Sequence, residues 1–113
     1  MLALAGSYDW WLDPAKKPDD ASRWLLSFAI LTKDAAEPLA QIHERNPILL
    51  SSSSMAEWLD PDNLEDPENT TQTLLNQLAE ESYQVAAEVE FWPVSVEVGN
   101  VRNNSPELIV ATN

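Results

Sequence analysis

The 113-residue chain contains no cysteine, which removes disulfides, thiolate nucleophiles and thiolate metal sites from its own chemistry. Its two glycines are too few for a phosphate-cradling loop, and no Gly-x-Ser-x-Gly elbow presents a serine nucleophile. Cations are scarce: six basic residues stand against nineteen acidic ones, for a formal net charge of -13. That field repels nucleic acid and anionic membrane surfaces, so any nucleic-acid contact has to be local. No apolar run approaches the ~20 residues needed to span a bilayer. The opening Met1-Leu2-Ala3-Leu4-Ala5-Gly6 lacks a positively charged n-region, and the expected location is cytoplasmic, with no membrane partner.

With one histidine and no cysteine, only carboxylates remain as metal ligands, so no metal and no cofactor is expected. The acidic run Asp60-Pro61-Asp62-Asn63-Leu64-Glu65-Asp66 fails as a calcium loop. Leu64 stands where an oxygen ligand is needed, and Glu65 where the sharp turn needs glycine. Hydrophobic residues make up 44% of the chain and charged residues 22%, the balance of a folded domain rather than a disordered one. One modest core is the expectation.

Leu2-Ala3-Leu4-Ala5 reads as a short strand running into the aromatic end Tyr8-Asp9-Trp10-Trp11. After a polar loop with Pro14 and Pro18, residues 23–32 read as a central strand covered on both faces and paired with the first as a hairpin. Asp34 with Glu37 predicts a capped short helix that turns Leu39 and Ile42 to the core and leaves His43 near its C-terminal end. Pro47-Ile48-Leu49-Leu50 reads as a further strand. Ser54 with Glu57 predicts a helix start before Trp58, and Asn69 with Gln72 another, whose apolar stripe is Leu74, Leu75, Leu78 and Ala79. Residues 85–89 and 91–98 read as strands on their β-branched and alternating content, and Pro106 to Val110 as a short terminal element. The five tryptophans are expected mainly in the core.

His43 is the one side chain whose unperturbed pKa lies near neutrality, which makes it the first candidate for proton transfer. On the residues alone, a satisfied histidine at a helix end is the better-supported explanation. Arg102, set among Asn100, Asn103 and Asn104, makes a polar loop of no evident chemistry by itself.

Two segments together are nonetheless distinctive. Ile42-His43-Glu44-Arg45-Asn46-Pro47 resembles the Ile-His-x-Arg-x-Pro motif of the SOS response-associated peptidase family, the abasic-site processing proteins. Pro93-Val94-Ser95-Val96-Glu97-Val98-Gly99-Asn100-Val101-Arg102-Asn103 resembles that family's closing segment. Trp58-Leu59-Asp60 and Pro106-Glu107-Leu108-Ile109 match in order as well.

The resemblance implies an α+β fold with a largely antiparallel, barrel-like sheet and short peripheral helices. Residues 1–113 correspond to the C-terminal part of a single domain, the N-terminal part being absent. It also implies a chemistry, in which the family's exposed cysteine forms a thiazolidine with the ring-opened aldehyde of an abasic site in single-stranded DNA. His43 then moves protons, Arg45 contacts the DNA backbone, and Asn100 and Arg102 are further candidate DNA contacts. The attacking cysteine belongs to the portion not found here, so the chain alone is expected to be inactive. Self-association, or pairing with a separate N-terminal half, follows as an expectation. The rival from another class is a small binding or assembly module with a structural His43.

Overall fold

Three extended segments exchange partners at one point, and the fold is built outward from there. The computed structural model describes residues 1–64 and 67–112, with side chains described outside 63–71. The first segment comprises β1 (Ala3–Leu4) and β2 (Gly6–Leu12), the second β3 (Trp24–Ile30) and β4 (Thr32–Asp34), and the third β5 (Arg45–Pro47) and β6 (Leu49–Leu50). They pair antiparallel as β1 with β6, β2 with β3, and β4 with β5.

Each segment changes partner at a single residue: Ala5, Leu31 and Ile48. These three close a cycle of backbone hydrogen bonds. Ala5 N–H donates to Ile48 O (2.9 Å), Ile48 N–H to Leu31 O (2.9 Å), and Leu31 N–H to Ala5 O (3.0 Å). Changing partner would otherwise leave these groups unpaired in the interior, where Ala5 and Ile48 are buried, and the cycle satisfies them. It fixes the register of all three ladders at once.

The core gathers on one side of this junction. Helix α2 (Pro67–Ala87) lays Leu74 and Leu78 against Ala5, Ile48 and Leu50, with Ala3, Leu31, Trp58 and Ala79 packed around them. The predicted stripe is borne out in its buried members. Helix α1 (Ser52–Trp58) is capped by Ser51, whose Oγ accepts from Ser54 N while Ser54 Oγ accepts from Ser51 N. The cap therefore lies three residues before the Ser54 start that the Ser-x-x-Glu spacing predicts. A serine at the third helical position completes the reciprocal pair as a glutamate would. Trp58 Nε1–H donates to Gly6 O at 3.0 Å and ties α1 to the first segment.

The antiparallel α+β reading holds, and five sequence expectations are corrected. Residues 23–32 form β3 and the start of β4, but β3 is exposed along its length. On one face of the β2–β3 hairpin, Tyr8 opposes Phe28, Trp10 opposes Leu26 and Leu12 opposes Trp24. None of the described residues covers that ladder, and Tyr8 and Phe28 are 75% and 77% exposed. Trp10, Trp11, Trp24 and Trp92 are likewise exposed, so the tryptophans are not mainly core. Asp34 ends β4 rather than capping a helix, because Asp34 pairs across to Arg45; only the 3₁₀ turn Leu39–Gln41 follows, and Ile42 is exposed. Helix α2 begins at Pro67, ahead of the predicted Asn69 start, and absorbs Val85 to Ala87. Residues 91–98 form no strand, since no described edge accepts them; Val96–Gly99 and Pro106–Ile109 are 3₁₀ turns. Asp60 and the turn Pro61–Leu64 precede Glu65 and Asp66, which lie outside the described residues.

Two global measures agree with the bare hairpin. The radius of gyration is 18.5 Å, against about 13 Å for a compact chain of this length. The accessible surface is 9026 Å², against about 6,200 Å² for a compact monomer of this mass.

Candidate functional site

The junction places the β4–β5 ladder beside the 3₁₀ turn, and that places His43 and Arg45 together. Register sets Asp34 opposite Arg45 and Thr32 opposite Pro47, so the Thr32, Asp34 and Arg45 side chains share a face. Arg45 Nη1 donates to Asp34 Oδ1 at 2.8 Å, and Nε and Nη2 donate to Thr32 Oγ1 at 3.3 and 3.2 Å. The ion pair is exposed, at 46% for Arg45 and 89% for Asp34. An exposed pair of this kind contributes about 0–1 kcal/mol to stability, but it fixes the guanidinium's direction. Its five N–H groups are not exhausted by those three contacts.

His43 is held by backbone rather than by a side chain. Its Nδ1 lies 3.0 Å from Arg45 N, which donates to it, and 3.0 Å from Arg45 O. With Nδ1 accepting, the proton of the neutral ring sits on Nε2. His43 is exposed, and no described hydrogen bond uses Nε2, so that nitrogen is free to exchange protons with a ligand.

His43 and Arg45 line a cavity of about 290 Å³ together with Leu4, Leu39, Ile42, Pro47, Leu49 and Val89. Asn46 also lines it. This side chain is 6% exposed. Its Nδ2 donates to Pro47 O at 2.7 Å, while Oδ1 is buried without a hydrogen-bond partner among the described residues. An unsatisfied buried acceptor of this kind costs about 1–3 kcal/mol. Sequence reasoning gave Asn46 no role, although an amide inside the apolar run Asn46 to Leu50 was the available signal.

Below the site, α2 anchors the sheet through two polar contacts. Leu49 N–H donates to Ser82 Oγ at 2.9 Å, with Ser82 fully buried. Lys33, opposite Asn46 in the ladder, donates from Nζ to Ala79 O at 2.8 Å and lies 2.8 Å from the centre of the Tyr83 ring. Burial pushes the Lys33 ammonium below its usual range, and the nearby Glu80 carboxylate works against that shift. The ring contact also favours the charged form; the desolvation prevails.

Asn100 and Arg102 lie apart from this group by every described hydrogen bond. Asn100 Oδ1 accepts from Arg102 N at 3.1 Å, and Asn103 Nδ2 donates to Glu97 O at 2.9 Å, which folds the turn on itself. Among the described residues, no three His, Cys, Asp or Glu side chains converge as a metal site, and no helix is long and apolar enough to cross a membrane.

Comparison with known proteins places this geometry in a family. The profile of the SOS response associated peptidase (SRAP) family matches residues 1–101. The chain is 36% identical over 109 residues to the abasic site processing protein YoqW of Bacillus subtilis, covering 96% of this chain and 42% of that protein. It is 32% identical over 111 residues to the abasic site processing protein HMCES of Gallus gallus, covering 97% of this chain and 29% of the relative. The chain therefore spans less than half the length of these curated relatives. On the matched profile and these identities, with the His43 and Arg45 motif seated beside one cavity, the chain belongs to the SOS response associated peptidase family.

Proposed function

We propose that this chain contributes the proton-transfer and DNA-positioning half of an abasic-site processing centre acting on single-stranded DNA. His43 is its catalytic residue, carrying protons on Nε2 while the reactive aldehyde forms and releases an imine. Arg45 holds a backbone phosphate, a contact suited to the planar guanidinium. Asn100 and Arg102 add further DNA contacts. The attacking cysteine, which ends as a thiazolidine on the DNA, comes from polypeptide that this sequence does not contain, and residues 1–113 act as the C-terminal part of the domain.

The observation that carries this reading is the arrangement of His43. Its Nδ1 accepts from Arg45 N–H at 3.0 Å, which leaves Nε2 to work beside the same arginine. A histidine serving only to satisfy a helix end has no need of that neighbour.

The bare β2–β3 hairpin supports pairing with the missing portion. Its apolar ladder is exposed, and the excess surface of about 2,800 Å² over a compact monomer exceeds the ~800 Å² that each partner buries in a standard interface. Self-association is disfavoured, because two copies each carry a formal charge of -13. A partner that supplies cations would offset this field and bring DNA within reach.

Incubation with abasic single-stranded DNA, read on a denaturing gel, tests the reading. The chain alone is expected to give no covalent band. Adding the part of YoqW outside the matched region is expected to restore one. A strong band from the chain alone, or none from the reconstituted pair once the two are shown to associate, refutes it. The module reading gains nothing comparable from the geometry, since no hydrogen bond among the described residues uses Nε2.

A further inference from the structure

We propose that the outer edge of β3 takes an added strand from the polypeptide outside this chain, joined to it by backbone hydrogen bonds. This rests on the pairing with the missing portion read above, and names the edge and the mode of attachment. In an antiparallel pair, alternate residues exchange hydrogen bonds with the partner, and those between them turn N–H and C=O outward. At the two ends of the hairpin, Leu31 N–H donates to Ala5 O and Asp13 N–H to Arg23 O, so the odd-numbered residues of β2 and β3 bond to each other. Past the junction the second segment again bonds through its odd residues: Ile48 N–H donates to Leu31 O, and Ala35 N–H to Glu44 O. Even-numbered residues of the first and second segments therefore face outward, as do odd-numbered residues of the third.

The three outer edges differ. On the third segment Arg45 N–H donates to His43 Nδ1 at 3.0 Å, Pro47 has no N–H, and Leu49 N–H donates to Ser82 Oγ at 2.9 Å, which closes that edge to a further strand. On the first, Trp58 Nε1–H occupies Gly6 O at 3.0 Å, and Trp10 N–H turns to Asp9 Oδ1 at 2.7 Å. On the second, no hydrogen bond among the described residues reaches the N–H or C=O of Leu26, Phe28 or Ile30. Strand β3 is exposed along its length and carries neither proline nor a charged residue, the usual guards of a free edge. An unguarded edge of this kind is a template for strand addition. The chain spans less than half the length of its curated relatives, which leaves polypeptide enough for a strand to match the seven residues of β3. A second copy is the poorer occupant, since it brings two formal charges of -13 together. The added strand needs apolar residues at alternate positions, to extend the ladder in which Tyr8 opposes Phe28 and Trp10 opposes Leu26. The same edge runs on through Thr32 and Asp34, the residues that hold Arg45, so a strand laid along it is led to the site.

Amide hydrogen exchange of the full chain, with and without the part of YoqW outside the matched region, tests the proposal. In the chain alone, Leu25, Ser27 and Ala29 are expected to exchange slowly and Leu26, Phe28 and Ile30 fast. With the partner at about 100 times its dissociation constant, the latter three are expected to slow about a hundredfold. Phe28→Pro deletes an outward N–H while sparing the β2–β3 ladder, whereas Phe28→Ala removes only the side chain. Proline is expected to weaken association about tenfold more than alanine, with slow exchange at Leu25 and Ala29 showing that the hairpin is intact. Exchange in the unsubstituted chain decides the matter even if the proline variant does not fold. Association that leaves Leu26, Phe28 and Ile30 exchanging fast overturns the proposal and leaves the pairing standing, as does equal weakening by both substitutions of an intact hairpin. Protection that appears in the chain alone as its concentration rises also overturns it, since a second copy is then the occupant. No association at all defeats the pairing and the proposal together. A protected edge without crosslinking in the reconstituted pair defeats the function alone.

Discussion

Ser82→Ala is the sharpest perturbation of the platform beneath the site. Ser82 Oγ is fully buried and accepts from Leu49 N–H at 2.9 Å, the one described bond by which α2 holds the third extended segment by its backbone. Alanine fills nearly the same space, so the cavity term is small. The loss is that of an N–H left unpaired in the interior, about 1–3 kcal/mol. Taking about 2 kcal/mol, the unfolding equilibrium shifts roughly thirtyfold, a large share of the 5–15 kcal/mol of a typical domain. With a urea dependence of about 1–2 kcal/mol per molar for a chain this small, the denaturation midpoint falls by about 1–2 M. Ser82→Cys, which retains a weak acceptor of similar size, is expected to lie between. Urea unfolding followed by far-ultraviolet circular dichroism reads both. A midpoint for Ser82→Ala within about 0.3 M of the unsubstituted chain refutes the reasoning, for it would mean that water or backbone movement satisfies Leu49 at no cost.

Two further outcomes follow from the ladder that carries Arg45. Asp34→Asn removes a carboxylate 2.8 Å from the guanidinium while barely changing stability. If a bound phosphate sits about 6 Å from that carboxylate, relieving the repulsion in water is worth about 0.7 kcal/mol, so the reconstituted pair is expected to bind single-stranded DNA about threefold more tightly by fluorescence anisotropy. Lys33 provides a pH signature. Because burial holds its folded pKa below the ordinary lysine value of about 10.4, the unfolded chain binds more protons just below that value, and stability rises with pH through that window. Lys33→Met is expected to abolish this rise in thermal unfolding measured from pH 8.5 to 10.5.

What the sequence revealed and what it withheld follow from where each signal resides. The β2–β3 hairpin was legible because two apolar segments flank a proline-bearing polar loop, and α2 because Leu74 and Leu78 recur at helical spacing. The three-way exchange at Ala5, Leu31 and Ile48 was not legible, since it is carried wholly by backbone groups that any residue possesses. Asp34 misled for a physical reason. Its spacing to Glu37 satisfies a helix cap locally, but the cross-strand pairing with Arg45 that defeats it lies eleven residues away. Residues 91–98 carry strand-like side chains, yet side-chain type does not supply a pairing partner, and these residues join none of the described sheets. At the site, His43 and Arg45 stood out by residue type and motif. Asn46 became visible only when burial and an empty acceptor were seen together.

Single-turnover crosslinking by the reconstituted pair, comparing His43→Ala with the unsubstituted chain, tests the role of His43 most directly. Loss of a general acid–base group slows such a step by about 10²–10⁴-fold, and the account expects a fall in that range, partly restored by added imidazole, with single-stranded DNA binding unchanged. An equal rate in the substituted chain would contradict it and leave His43 a structural residue of the Arg45 turn.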